Sequence, residues 1–144
     1  MKISVKRIND RVHLQATNPE GNVVDIDGSP DVGGENAGFR PMQLVLAALA
    51  SCTAMDVITI LRKQRQRLDD LSITVSGERK DATPAPFTAI NVHYDLYGAI
   101  EEKHARRAVD LAVHKYCSVT EMLKATVDVT ASVAVNPDTP GGSA

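Results

Sequence analysis

Residues 41–66, Pro41-Met-Gln-Leu-Val-Leu-Ala-Ala-Leu-Ala-Ser-Cys-Thr-Ala-Met-Asp-Val-Ile-Thr-Ile-Leu-Arg-Lys-Gln-Arg-Gln66, make up the longest run of the chain without a breaker. Most of these residues are strong helix formers. Pro41 stands at the first turn, where its missing N–H has no partner to lose. Apolar or small residues cover almost the whole circumference from Leu44 to Leu61, and only then do Arg62, Lys63, Arg65 and Arg67 appear. A helix apolar all round requires burial on every side, and its basic end suits the negative pole of the helix dipole. The apolar stretch reaches about the minimum length of a membrane span. Asp56 and the hydroxyls of Ser51, Thr53 and Thr59 assign it instead to a soluble core. Cys52 lies at its middle.

Working outward, 144 residues form one domain able to bury roughly two-thirds of its unfolded surface. A net charge of −2 gives neither a nucleic-acid footprint nor a basic membrane patch. Aromatics at 3% with no tryptophan argue against base-stacking surfaces. The opening Met1-Lys-Ile-Ser-Val-Lys-Arg7 lacks an apolar signal core, which points to the cytoplasm. Two cysteines there are free or transiently redox-active rather than a permanent staple.

Residues 2–8, 11–17 and 22–26 alternate with period two and predict a three-stranded meander, with turns at Asn9-Asp10 and Asn18-Pro-Glu-Gly21. So thin a sheet needs a partner layer. Residues 27–40 read as a glycine-rich connector without P-loop spacing, which delivers Phe39 and Arg40 to the mouth of the helix. Residues 71–80 and 87–97 predict a strand pair, the second with Ile90, Val92, Tyr94 and Leu96 on one face. Residues 101–114 predict a helix with a stripe of Ala105, Ala108, Val109 and Ala112. Ser118-Val-Thr-Glu121 reads as a capping box opening a short helix. Residues 126–135 form a last strand, and 136–144 a disordered tail. The single domain is therefore 1–135, α+β in class. The four histidines stand on separate elements at no metal-ligand spacing, so neither a metal nor a cofactor is expected.

Cys117 lies one residue before the expected cap, where backbone N–H groups and the positive dipole end favour a thiolate. With Cys52 it has the composition of a two-cysteine redox cycle, in which a sulfenic acid on one condenses with the other. Two cysteines so far apart in sequence are equally compatible with plain core packing.

Two runs carry a resemblance. Arg40-Pro-Met-Gln-Leu-Val-Leu-Ala-Ala-Leu-Ala-Ser-Cys-Thr-Ala-Met-Asp-Val-Ile58 and Ala108-Val-Asp-Leu-Ala-Val-His-Lys-Tyr-Cys-Ser-Val119 look like the OsmC/Ohr family linked to organic hydroperoxides, and most like its YhfA-like branch. The resemblance implies the OsmC-like fold, β-β-β-α-β-β-α-β, as an interwoven homodimer with the central helices between two sheets. It implies that Cys52 attacks the peroxide, that Cys117 resolves the intermediate, and that a dithiol supplies electrons. Peroxidase members carry a glutamate in the first helical turn; here Met42 stands there, beside Gln43. Arg7, Arg11 and Arg40 are the candidates for the family's arginine, and Glu35 could supply a carboxylate from the loop. The resemblance thus implies a thiol-dependent reductase of organic hydroperoxides serving oxidative-stress defence, with Cys52 and Cys117 catalytic and Arg11, Arg40, Glu35 and Gln43 as candidate supporting residues. The alternative is a non-catalytic dimer that binds a small apolar ligand at the subunit interface. Neither reading involves nucleic acid or membrane.

Overall fold

The alternating segments at the start of the chain do fold as a meander. The computed structural model describes residues 1–138. The chain divides into two compact units, Met1–Val45 and the remainder from Leu46. In the first, β1 (Ser4–Arg7), β2 (Leu14–Thr17) and β3 (Val23–Ile26) pair antiparallel in the order β1-β2-β3. Its apolar alternation faces no interior of this chain along β1, where Val5 is 55% exposed.

The loop after β3 is built rather than flexible, which corrects the connector reading of residues 27–40. Asp27, 3% exposed, accepts backbone hydrogen bonds from Gly28 at 2.8 Å, Glu35 at 3.0 Å and Ala37 at 3.1 Å. These bonds, Glu35 foremost, hold its carboxyl below the usual carboxylate range. The loop closes where Phe39 bridges Ile26, with Asp27 N–H on the Phe39 carbonyl at 3.0 Å. Gly34 lies against the Gly28 backbone so tightly that a Cβ would fall 1.9 Å from the Gly28 oxygen.

α1 spans Pro41–Lys63. Gln43, its third residue, reaches back with Oε1 to the Arg40 N–H at 2.9 Å, one half of a capping box. The helix stops before Gln66, because Arg65 turns left-handed (φ 58°). Gln66 N–H then bonds the Leu61 carbonyl and Arg65 N–H the Arg62 carbonyl, both at 3.0 Å. This is a Schellman ending, with arginine where glycine is usual. Ser51, Thr53 and Thr59 return their hydroxyls to carbonyls four residues back, at 2.7, 3.0 and 2.9 Å, so none leaves an unsatisfied group in the helix.

In the second unit β4 (Arg67–Arg79), β5 (Phe87–Ala99) and β6 (Asp128–Val135) form a sheet in that order, β4–β5 antiparallel and β5–β6 parallel. The parallel pair requires a crossover, supplied by α2 (Glu102–Leu111) and α3 (Ser118–Leu123). Ile90, Val92, Tyr94 and Leu96 of β5 are buried as expected, together with Ala105, Ala108, Val109 and Ala112 of the crossover. On α1 only the stripe Leu49, Thr53, Val57 and Leu61 is buried. Met55 is 68% exposed and Ile58 is also exposed. Burial on every side is therefore not achieved within one chain. The end of β6 is fixed by Asn136, whose side-chain amide and carbonyl bracket the Gly98 backbone at 2.9 Å each. The expected disordered tail, 136–144, begins too early, because Asn136 is held in place by these bonds; its residues from 139 onward lie outside the described residues.

Candidate thiol site

Cys117 owes its position to an irregular turn. Ala112–Tyr116 widen into a π-turn, and the Cys117 N–H reaches back five residues to the Ala112 carbonyl at 3.0 Å. Such turns gather at functional sites, because the extra residue redirects the side chains that follow. Cys117 then leaves the helical region (φ −72°, ψ 115°), and its Sγ accepts the Thr120 N–H at 3.4 Å. Cys117 is thus itself the N-cap of α3. The capping box expected at Ser118 does not form: Ser118 is already helical, and Glu121 pairs with Lys124 at 2.6 Å.

Cys52 comes to the same place from α1. Its half-buried thiol lies beside Cys117 and near the backbone N–H groups of Val119 and Ser118. Two sulfurs separated by most of the second unit's sequence therefore meet at the mouth of α3. Burial pushes the Cys52 thiol above its ordinary pKa, and the neighbouring Cys117 raises it further. The two backbone N–H groups pull the other way. Cys117, at 4% exposure, is the more enclosed of the pair.

Beneath them Thr53 turns into the core and anchors the cysteine-bearing turn to the sheet. Tyr94 of β5, fully buried, donates its hydroxyl to Thr53 Oγ1 at 2.5 Å. Desolvation pushes the phenol up to about 12, opposed by the Thr53 bond and assisted by charge on Cys117, Asp56 and Cys52. The sequence reading missed Thr53, Tyr94 and the π-turn. A hydrogen bond across 41 residues leaves no periodic signal.

A profile describing OsmC-like proteins matches residues 33–132. The chain belongs to the OsmC-like family. This OsmC-like protein is 39% identical over 116 residues to protein YhfA of Escherichia coli K12, covering 80% of this chain and 84% of that one. It is 24% identical over 118 residues to the organic hydroperoxide resistance protein-like 1 of Staphylococcus epidermidis, covering 81% and 84%. It superposes on a crystal structure of a protein from Aquifex aeolicus VF5 with a TM-score of 0.78 at 28% identity, covering 94% and 97%. These likenesses identify α1, long and apolar enough to cross a membrane, as the core helix of a soluble OsmC-like fold.

The remaining site candidates of this OsmC-like protein lie in its first unit. Arg11 and Glu35 meet, Nη1 to Oε1 at 3.3 Å, with both side chains more than half exposed. Arg40 donates through Nη2 to Asn36 Oδ1 at 2.7 Å, and its backbone is capped by Gln43. Arg7 spends its guanidinium on the carbonyls of Asp10 and Arg11. Met42 offers no carboxylate. Among the histidines, His13 bonds Asp25 at 2.9 Å, while His93 bridges Ser132 at 2.7 Å and Asp95 at 3.1 Å.

Proposed function

We propose that this protein is a thiol-dependent reductase of organic hydroperoxides, acting through Cys52 and Cys117 in the cytoplasm as a homodimer. The observation that carries the reading is the placement of the Cys52 thiol beside Cys117 at the mouth of α3. The ionised Cys52 attacks the outer peroxide oxygen, the O–O bond breaks, and the leaving alkoxide takes a proton to become an alcohol. Cys52 is left as a sulfenic acid. Cys117 sulfur then displaces its hydroxyl as water, forming the Cys52–Cys117 disulfide, and a dithiol returns both to thiols. Cys52 has the attacking role because its half-exposed sulfur is the one a peroxide reaches. The Ser118 and Val119 N–H groups stabilise its developing charge. The exposed apolar residues of α1 and β1 support a second copy as their cover.

The raised pKa of Cys52 is the observation favouring the alternative, an inert dimer that binds a small apolar ligand. Steady-state turnover of cumene hydroperoxide with dithiothreitol separates the two. The reductase turns over, prefers cumene hydroperoxide to hydrogen peroxide, and is abolished by Cys52→Ser. Turnover no faster than dithiothreitol alone leaves only the binder.

A further inference from the structure

The sheet of the second unit has a second face, turned away from α1. Tyr94 points toward Thr53 of α1, so its neighbours His93 and Asp95 project from the opposite side of β5. Ser132 of β6 stands across from His93 in the parallel register and shares that side. The three side chains join in one line: Ser132 Oγ lies 2.7 Å from His93 Nδ1, and His93 Nε2 lies 3.1 Å from Asp95 Oδ1. Their exposure is graded. The Asp95 side chain is 3% exposed and that of His93 36%, while Ser132 is open to solvent. A carboxylate only accepts, so Nε2–H donates to Asp95 and the neutral ring keeps Nδ1 as an acceptor. The Ser132 hydroxyl therefore donates to a base whose tautomer is fixed from behind. The next row of the face, Asn91 Nδ2 donating to Thr130 Oγ1 at 2.9 Å, joins the same two strands without a base. A cavity of about 170 Å³ is walled by Ala131, Ser132 and Val133 of β6 and by residues of the crossover, Val109 and Arg106 among them.

We propose that Ser132 is an activated nucleophile and that this face hydrolyses short-chain aryl esters, an activity separate from the thiol site. Nucleophile, base and orienting carboxylate follow one another as in a serine hydrolase, which is recognised by roles and geometry rather than by sequence position. Ser132 Oγ attacks the ester carbonyl carbon as its proton passes to His93 Nδ1. The C–O bond to the leaving group breaks, and the aryloxide takes that proton to leave as a phenol. Water then attacks the acyl-serine, giving a proton to the same nitrogen, which returns it to Ser132 Oγ as the carboxylic acid departs. Aryl esters suit a centre on an open sheet because the weakly basic leaving group already activates the carbonyl. The cavity at Ser132 has room for a short acyl chain.

Two probes test this on the intact protein. A fluorophosphonate, which exchanges its P–F bond for a P–O bond to an activated serine, should add one label per chain, mapped by peptide mass to Ser132. Ser132→Ala, an exposed truncation, should take up none. His93→Gln should slow labelling at least about a hundredfold, the share a general base supplies. Asp95→Asn should slow it too, because an amide can donate to Nε2 and move the ring proton to Nδ1. Thr130→Val removes the neighbouring clamp and should label like wild type. p-Nitrophenyl acetate should be hydrolysed faster than by an equal concentration of free imidazole, with the excess lost in Ser132→Ala. Label absent from Ser132, labelling as fast in His93→Gln as in wild type, or a loss in Thr130→Val as large as in His93→Gln overturns the proposal. So does ester hydrolysis that Ser132→Ala leaves unchanged.

Discussion

The Tyr94–Thr53 hydrogen bond makes an asymmetric prediction. Tyr94→Phe removes a donor whose acceptor stays occupied, since Thr53 Oγ1 still donates to the Leu49 carbonyl at 3.0 Å. The loss is one net hydrogen bond, about 1 kcal/mol. Thr53→Val preserves the shape but strands a fully buried phenol, adding that group's desolvation penalty for about 2–4 kcal/mol in all. The double variant removes both partners and should recover to about 1–2 kcal/mol, well short of the sum of the singles. Titration adds a second readout. The Tyr94 pKa rises from 10.0 to about 12 on folding, so the folded state holds the proton more tightly. Its contribution is complete below pH 10 and lost as pH climbs to 12, by at most about 2.7 kcal/mol. Wild type should therefore lose its advantage over Tyr94→Phe across that window. Urea unfolding of the four proteins at pH 7, with wild type and Tyr94→Phe repeated at pH 10–12, gives every quantity. Equal costs for the two singles, strict additivity, or a wild-type advantage independent of pH would refute the reasoning.

Three further expectations concern other parts of the molecule. Because the Cys52 pKa is raised, the second-order rate of peroxide consumption should climb with each pH unit from 7 to 9. Stopped-flow measurement showing a plateau below pH 8 would contradict this. Gly34→Ala drives a Cβ into the Gly28 carbonyl and should destabilise the Asp27-centred loop by more than about 2 kcal/mol; unchanged thermal and urea midpoints would contradict that packing. Met55→Lys places a charge on the exposed apolar face of α1. Light scattering should find dimers for wild type and monomers for this variant at equal concentration, and an unaltered mass would remove that face from the interface.

Much of the fold was legible because it rests on local chemistry. Pro41, the uninterrupted apolar run and the basic end fix α1, while period-two alternation finds all six strands and the buried face of β5. What escaped depends on contacts between distant residues or on backbone states that carry no compositional mark. Arg65 adopts the left-handed C-terminal turn usually given to glycine, so the helix reads as running on to Gln66. The π-turn at Ala112–Tyr116 moves the cap of α3 from Ser118 back to Cys117. Loop 27–40 looks like a connector because its organiser, Asp27, is an aspartate beside glycines, and only coordinates reveal three amides converging on it. The all-round apolar surface of α1 tells what the helix must bury without telling which chain covers it. At the site, both cysteines were read individually, and their pairing came from resemblance. Thr53 was legible as a helix hydroxyl and Tyr94 as an inward strand residue, but their bond, which sets the cysteine-bearing turn on the sheet, was not.

The most direct measurement is the intact mass of the unfolded, alkylated chain after one equivalent of cumene hydroperoxide. A Cys52–Cys117 redox pair predicts loss of two hydrogens, no alkylation at either cysteine, and one peptide linking the two sulfurs, all absent in Cys52→Ser. A chain that takes up two alkyl groups, unchanged by peroxide, would contradict the account.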